Sequence, residues 1–252
     1  MKSWSDIGFE IEITGDQSPS LRLLQAVDPL KDRGESMHHS GGACAETLLI
    51  YGEPIRKILE NIERPHFLIV GLGLGYIELV IAREALLQGK SAGQVGLITS
   101  YESVPELREF FFKWLHEDVA GLSEEVSQVY DLVLAHVSKG TNLLPQDLKT
   151  FLRTHFKSLN DIRQELSSSV SLESKYHGIL YDAFSSKTSP FLWEEEFLAK
   201  LLREGAEEHC LVSTYACKGS LKRALKSEGF EVVVREGFQG KRNSTLGVKK
   251  LP

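Results

Sequence analysis

Sulfur chemistry is scarce in this chain. Cysteine occurs 3 times in 252 residues, as Cys44, Cys210 and Cys217, and no two form a C-x-x-C pair. The odd number and the wide spacing argue against a disulfide framework and a zinc site, and fit a reducing compartment. Long apolar runs are also missing. The longest, near 67–74, falls far short of the roughly 20 residues a membrane helix needs. The opening stretch MKSWSDIGFEIEITGD carries a charge every few residues and no apolar signal region, so cytoplasmic residence is expected. Positive charge is not in excess. Lys+Arg number 29 against 35 Asp+Glu, a net charge of −6, which argues against nucleic-acid binding by bulk charge and leaves only a local basic patch. With 21 glycines and 8 prolines, and no internal repeat, the chain is neither collagen-like nor low-complexity.

What is present is the composition of a globular protein, 42% hydrophobic and 25% charged. Ile7, Phe9, Ile11 and Ile13 alternate with Gly8, Glu10 and Glu12, the period of a half-buried strand. Thr14-Gly15-Asp16 breaks it, and residues 20–24 read as the return strand of a hairpin. Residues 35–42 read as a loop, and 45–61 as a helix whose second half Pro54 interrupts or opens. The expected division is a hairpin-and-helix extension over 1–62 and a main domain over 63–252, with a mostly helical insert at about 122–150.

From residue 66 the pattern becomes α/β. Strands are predicted at 66–71, 95–102, 154–159, 175–182 and 210–215, alternating with helices at 77–88, 105–116, from 161, 190–203 and 220–228. The pair 230–235 and 244–249 closes the chain without an intervening helix. The run HFLIVG is apolar throughout, as in a parallel strand buried on both faces. Together these predict an open, seven-stranded, mostly parallel sheet with one antiparallel strand near its edge. That is the Rossmann-like arrangement of the class I methyltransferases, with a small N-terminal β-hairpin added.

Four strand ends carry candidate chemistry. Gly71-x-Gly73-x-Gly75 lets the backbone turn tightly and approach a ligand, although such a turn can be a mere connection. Glu102 ends the second strand, where a carboxylate can accept both hydroxyls of a ribose; alternatively it only starts a turn. Asp161 could accept from an adenine amine, or serve as a helix N-cap. Asp182 stands at the end of the fourth strand beside Phe184. It could orient an amine and accept its proton, with the ring free to stack on a base. A basic group, Lys218, Lys222, Arg223 and Lys226, joined by Lys241, Arg242, Lys249 and Lys250, suits phosphates but also suits a solvated face. His38 and His39 lack companions at metal-ligand spacing, so no metal is expected. Trp193 and Phe197 read as core.

Several of these residues fall in blocks that resemble a known family. Ser36-Met37-His38-His39-Ser40-Gly41-Gly42-Ala43 with Ala45-Glu46-Thr47 is similar to the N-terminal signature of the MnmC-like tRNA (5-methylaminomethyl-2-thiouridine) methyltransferases. Tyr181-Asp182-Ala183-Phe184-Ser185-x-Lys187-x-x-Pro190-x-x-Trp193 resembles that family's D-x-F-x-P-K-x-N-P-x-x-W block. Thr214-Tyr215, Lys222-Arg223-Ala224-Leu225 and Gly229-Phe230 resemble its T-Y, R-R-x-L and A-G-F elements, and Gly237-Phe238-x-Gly240-Lys241-Arg242 its G-F-G-x-K-R ending. The blocks run in the family's order from about Ser36 to Gly247.

The resemblance implies an S-adenosylmethionine-dependent N-methyltransferase acting on the aminomethyl group of the wobble uridine, working without the FAD-binding oxidase half of the bifunctional enzyme. It implies Gly71, Gly73 and Gly75 at the methionine end of the cofactor, Glu102 on the ribose, and Asn160 and Asp161 in the segment matching the family's G-D-x-R-E adenine motif. Asp182 is the expected catalytic aspartate and is also expected among the cofactor-binding residues. Phe184, Lys187, Lys222, Arg223, Lys241 and Arg242 are the expected substrate-binding residues. The expected partner is tRNA through its anticodon region, with no membrane, no metal, and the monomer as the acting form. The chain departs from the family pattern at Ile69 (an acid there), Leu74 (Thr), Asn160 (Gly), Ser186 (Pro) and Ser189 (Asn). Two alternatives stay open: a methyltransferase for another amine, and a non-catalytic binding module that keeps the fold.

Overall fold

The computed structural model describes residues 2–26, 33–169, 171–240 and 243–250. The alternating N-terminal stretch forms a hairpin, β1 (Phe9–Ile13) and β2 (Pro19–Leu23), with Ile11 opposite Leu21. Phe9 and Leu21 are buried, while Ile13 at the turn end is exposed. Residues 35–37 run beside β2: Leu23 N–H donates to the Glu35 carbonyl and Met37 N–H to that of Leu21.

The hairpin turn caps the next helix. Helix α1 (Ala43–Thr47) begins at Gly42, which has no side chain to satisfy the free N–H groups. Thr14 Oγ1 accepts from Ala43 N at 3.0 Å, Ser18 Oγ from Cys44 N at 2.9 Å, and Asp16 Oδ2 from Ala45 N at 2.9 Å. From α1 the chain continues through a π-helical turn (Leu48–Gly52) into α2 (Glu53–Asn61), which Pro54 opens. The break predicted at Pro54 is therefore a change of helical pitch just before it.

The main sheet holds β3 (Phe67–Val70), β4 (Ile98–Tyr101), β5 (Ile162–Arg163), β6 (Tyr176–Tyr181), β7 (Ala206–Thr214), β8 (Glu231–Arg235) and β9 (Ser244–Lys249). Their order across the sheet is β5-β4-β3-β6-β7-β9-β8. Only β9 runs against the rest, paired antiparallel to both β7 and β8. This is the predicted topology. The strand order reverses at β3, between β4 and β6, which is where open α/β sheets bind ligands at their carboxyl ends.

Helix α3 (Tyr76–Leu87) follows β3, and α4 (Pro105–Leu115), α5 (Glu124–Ser138) and α6 (Pro145–Arg153) lie between β4 and β5. They share one core with α2, the hairpin, Phe67 and Ile69. Trp4 joins it, set edge-on to Phe110 at 5.6 Å. Helices α7 (Glu195–Gly205) and α8 (Gly219–Ser227) build the second core against Leu68 and Val70, with Trp193 and Phe197 inside it. Alternate residues of β3 thus feed opposite cores, which is why HFLIVG is apolar without a break.

One predicted strand is displaced. Residues 154–159 are the turn after α6, and the strand lies at Ile162–Arg163, where a short helix was expected. The apolar signal there is Phe156, fully buried with its ring edge-on to Phe111 at 5.9 Å. It anchors a loop rather than repeating along a strand.

Candidate active site

A cavity of about 1080 Å³ opens over the carboxyl ends of β3, β4 and β6. Small-molecule sites commonly span about 300–1,000 Å³, so this one has room for a cofactor together with an acceptor. Two of its walls come from outside the sheet. Residues 35–39 cross one side, and α1 with the π-helical turn forms another.

The glycine turn shapes the floor. Gly71 has φ +97°, and a Cβ there would come within 2.6 Å of the Asp182 carbonyl oxygen, so a side chain is excluded by both backbone and space. At Gly75, φ +73°, a Cβ would drive into the Phe111 ring. Gly73 N–H donates to Glu102 Oε2 at 3.0 Å, and Val104 N–H donates to Oε1 at 2.9 Å. Glu102 is 8% exposed. Burial raises its pKa, and the N–H groups of Val104, Gly73 and Ser103 pull it back. A carboxylate offers about four acceptor positions, so capacity remains for two ligand hydroxyls.

Asp182 follows β6, its N–H donating to the Val70 carbonyl at 2.8 Å. Tyr51, carried by the π-helical turn, donates its hydroxyl to Asp182 Oδ1 at 2.7 Å. Burial pushes the Asp182 carboxyl up to about 7; the Tyr51 hydrogen bond lowers it and the nearby Glu46 charge raises it further. Glu46, one turn earlier on α1, lines the same cavity and accepts from His39 N–H at 2.7 Å. Its pKa is also raised by burial. Tyr215 donates to the Ala183 carbonyl at 2.8 Å, and Trp193 Nε1–H to that of Phe184 at 2.7 Å, which fixes the strand-to-loop bend under Asp182.

The loop beyond it is latched across the cavity. The Glu35 carboxylate accepts from Ser185 N–H at 2.9 Å, Ser185 Oγ at 2.8 Å and Thr188 Oγ1 at 2.5 Å. Aromatic rings stand at the rim: Phe184, Phe191, and Phe238 set edge-on to His39 at 5.4 Å.

Of the residues singled out in the sequence, Gly71, Gly73, Glu102, Asp182 and Phe184 line this one cavity, with Gly75 shaping the turn behind it. Asn160 and Asp161 do not line it. Asp161 Oδ2 accepts from Ser158 N–H at 2.7 Å in a reciprocal capping box, a local role close to the capping alternative. Glu165, one residue beyond the same motif-like segment, reaches the lining together with Leu166. Lys218 lines the cavity and donates to Ser186 Oγ at 2.6 Å. Lys222 and Arg223 lie on α8 outside the lining, with Arg223 paired to Glu195 at 2.6 Å. Lys187 sits on the latched loop, also outside it. Lys241 and Arg242 fall outside the described residues. His38 faces the cavity, its Nδ1 2.9 Å from Ser20 Oγ, and burial lowers its pKa to about 4, so it is neutral at pH 7.

Sequence reasoning assigned no role to Tyr51, Glu35, Tyr215 or Glu46. The last was visible within the Ala45-Glu46-Thr47 block; Tyr51 had no signal, because reading 45–61 as a regular helix hides the π-helical turn.

These residues fit a sulfonium nucleoside. The turn at Gly71 and Gly73 brings bare backbone to the cavity floor, and Glu102 keeps acceptor capacity at the next strand end. Comparisons agree. Residues 121–250, just over half the chain, match the family described as S-adenosyl-L-methionine-dependent methyltransferase. The bifunctional tRNA 5-methylaminomethyl-2-thiouridine biosynthesis protein MnmC of Hahella chejuensis is 40% identical over 67 residues, which are 27% of this chain and 10% of that protein. An uncharacterized protein of Methanocaldococcus jannaschii is 25% identical over 219 residues, 87% of this chain and 55% of that one. The chain therefore spans little more than half of the longer match and a tenth of the other. The crystal structure of MNMC2 from Aquifex aeolicus superposes with a TM-score of 0.64 at 22% identity, covering 97% of this chain and 72% of that one. Its likeness shows a shared fold. On the matched family, the chain belongs to the S-adenosyl-L-methionine-dependent methyltransferases.

Proposed function

We propose that the chain N-methylates the aminomethyl group of the wobble uridine in tRNA, yielding 5-methylaminomethyl-2-thiouridine, and that it acts in the cytoplasm. The observation that carries this reading is Asp182. It is a half-buried carboxyl with one oxygen held by Tyr51, beside the glycine turn and under Phe184.

When bound, S-adenosylmethionine supplies an electrophilic methyl group. Glu102 would hold its ribose hydroxyls, and Gly71 and Gly73 would pass beneath its methionine end. The chain's own residues do the rest. An amine attacks only when neutral, so a base must take its proton. Asp182, with a pKa raised to about 7 by burial, exchanges a proton near neutral pH. Tyr51 fixes the oxygen it touches and leaves Oδ2 for the amine. Phe184 offers a face for the base. Residues 35–39 and the Glu35 latch exclude water from that side. Positioning then carries much of the rate.

Lys218 and Lys222, one helical turn apart from the cavity rim outward, support the tRNA partner by offering phosphate contacts. The test is nucleoside analysis of tRNA carrying 5-aminomethyl-2-thiouridine after incubation with the protein and S-adenosylmethionine. The methylamino nucleoside is expected with the wild type. With Asp182→Asn, turnover should fall about 10²–10⁴-fold while calorimetry shows unchanged S-adenosylhomocysteine binding. Full turnover by that variant defeats the assignment.

A further inference from the structure

We propose that Glu46 is the second carboxyl of the acceptor pocket, and that Glu46 and Asp182 hold the reacting nitrogen between them, Asp182 taking its proton. This rests on the amine-methylation reading.

The geometry comes first. Both side chains line one cavity from different elements, Glu46 from α1 and Asp182 from the end of β6. Each has one oxygen fixed and one left over. Glu46 Oε2 takes the His39 N–H, and Asp182 Oδ1 takes the Tyr51 hydroxyl. Glu46 Oε1 and Asp182 Oδ2 make no hydrogen bond to any described residue, and neither is among the sealed, unpartnered atoms. Both remain for a ligand. The backbone is built to bring the two walls together. In a regular α-helix residues five apart point about 140° apart. The π-helical turn after Thr47 hydrogen-bonds residues five apart, which swings Tyr51 toward the Glu46 side. The extra carbonyl such a turn leaves is met from outside: Ser213 Oγ donates to the Ile50 carbonyl at 2.7 Å and accepts from Arg235 at 2.9 Å.

The chemistry follows. An alkyl ammonium has several N–H donors, and two carboxyl oxygens on different walls can take two of them at once. One proton passes from nitrogen to Asp182. The freed lone pair then forms the C–N bond as the C–S bond breaks, sulfur keeping that electron pair. A negative Glu46 facing Asp182 raises the proton affinity of Asp182, which makes it a better base. The other groups facing the pair are Tyr51 and Tyr215, both pushed well above the usual phenol range by burial and so neutral, the Glu35 carboxylate, neutral His38, His39, and Lys218 at the rim. Glu102 lies across the glycine turn and Glu78 behind it.

The experiment compares the wild type with Glu46→Gln and Glu46→Asp. Carbon-13 NMR follows the Asp182 carboxyl in the S-adenosylhomocysteine complex. In Glu46→Gln its midpoint should fall by about half a unit or more, and in Glu46→Asp it should return toward the wild type. Kinetics with aminomethylated tRNA should show the acidic limb of kcat/KM moving the same way. The KM should rise about tenfold or more, with S-adenosylhomocysteine affinity unchanged within about twofold. An unmoved Asp182 midpoint overturns the pair. Weakened S-adenosylhomocysteine binding with unchanged acceptor KM also overturns it, by assigning Glu46 to the cofactor. A wild type inert toward this tRNA would remove the tRNA reading, and the NMR titration would still decide the pair.

Discussion

At the scale of single residues, the half-buried Asp182 and the fully buried Glu78 behave differently and can be separated by pH. Asp182 sits against a hydroxyl donor, and Tyr51 favours its charged form. Only the ionised carboxyl accepts a proton, so activity should rise through pH 7. Tyr51→Phe removes the donor, raises the Asp182 pKa, and moves that limb to higher pH. A hydrogen bond to a charged group is worth about 1.5–3 kcal/mol, so the move should be roughly one to two units. The variant should be poor at pH 6.5 and near wild type at pH 9. A uniform loss at every pH would make Tyr51 merely structural. Glu78 on α3 is the contrasting case. It is fully buried, takes one hydrogen bond from Ser100 Oγ at 2.6 Å, and leaves Oε2 without a partner. Burial pushes it up to about 8 from an ordinary 4.5. The native state then binds more protons than the unfolded chain between those values. Its contribution to stability is whole below pH 4.5 and is lost as pH rises toward 8, on the order of a few kcal/mol. Glu78→Gln, a neutral isostere of the protonated carboxyl, should match the wild type near pH 5 and become the more stable protein by pH 8.5, where the wild type buries a charge. Thermal unfolding across that range checks it; parallel curves would show no linked proton.

At the scale of elements, α1 owes its start to the hairpin rather than to its own sequence. Asp16 accepts from Ser18 and Thr14 with one oxygen and from Ala45 N–H with the other. Although burial opposes ionisation, these donors hold its pKa below the usual range. Asp16→Ala should cost about 1–2 kcal/mol, as losses of helix caps do, and roughly 2–8 °C in Tm. Because α1 carries Glu46 and leads into Tyr51, acceptor KM should worsen as well. An unchanged Tm would mean the N–H groups find other partners. None of this capping was legible in the sequence, since its donors and acceptors lie almost 30 residues apart. The long, strongly patterned elements were legible: β3, α3, β6 and the closing β8–β9 pair follow from period and punctuation alone. The two-residue β5 was not, because Ser100–Ile162 and Tyr101–Arg163 pairing is too short to carry a period. Site residues followed the same division. Glu102 and Asp182 stand at ends of readable strands. Asp161 was read one step away from a strand that lies elsewhere, and its carboxylate closes its own turn.

At the scale of the whole molecule, an acidic protein must meet a polyanion. With a net charge of −6, the average field repels tRNA, so any attraction has to come from local geometry. Lys218 lines the cavity, Lys222 follows one helical turn further on, and Lys226 continues the row along α8 to the exposed end. Arg223, on the neighbouring stripe, is drawn toward Glu195 on α7 and is less available. If the row tracks a phosphate strand, each contact releases counterions and adds close to one unit to the slope of log affinity against log salt. Lys222→Glu with Lys226→Glu should therefore weaken tRNA binding most at low salt and flatten the slope by about 2. S-adenosylhomocysteine affinity should not move, because neither side chain lines the cavity. Filter binding at graded salt reads the slope directly. A slope identical to the wild type would show that tRNA approaches over another face, leaving the Asp182 pocket to an acceptor that arrives without a phosphate backbone.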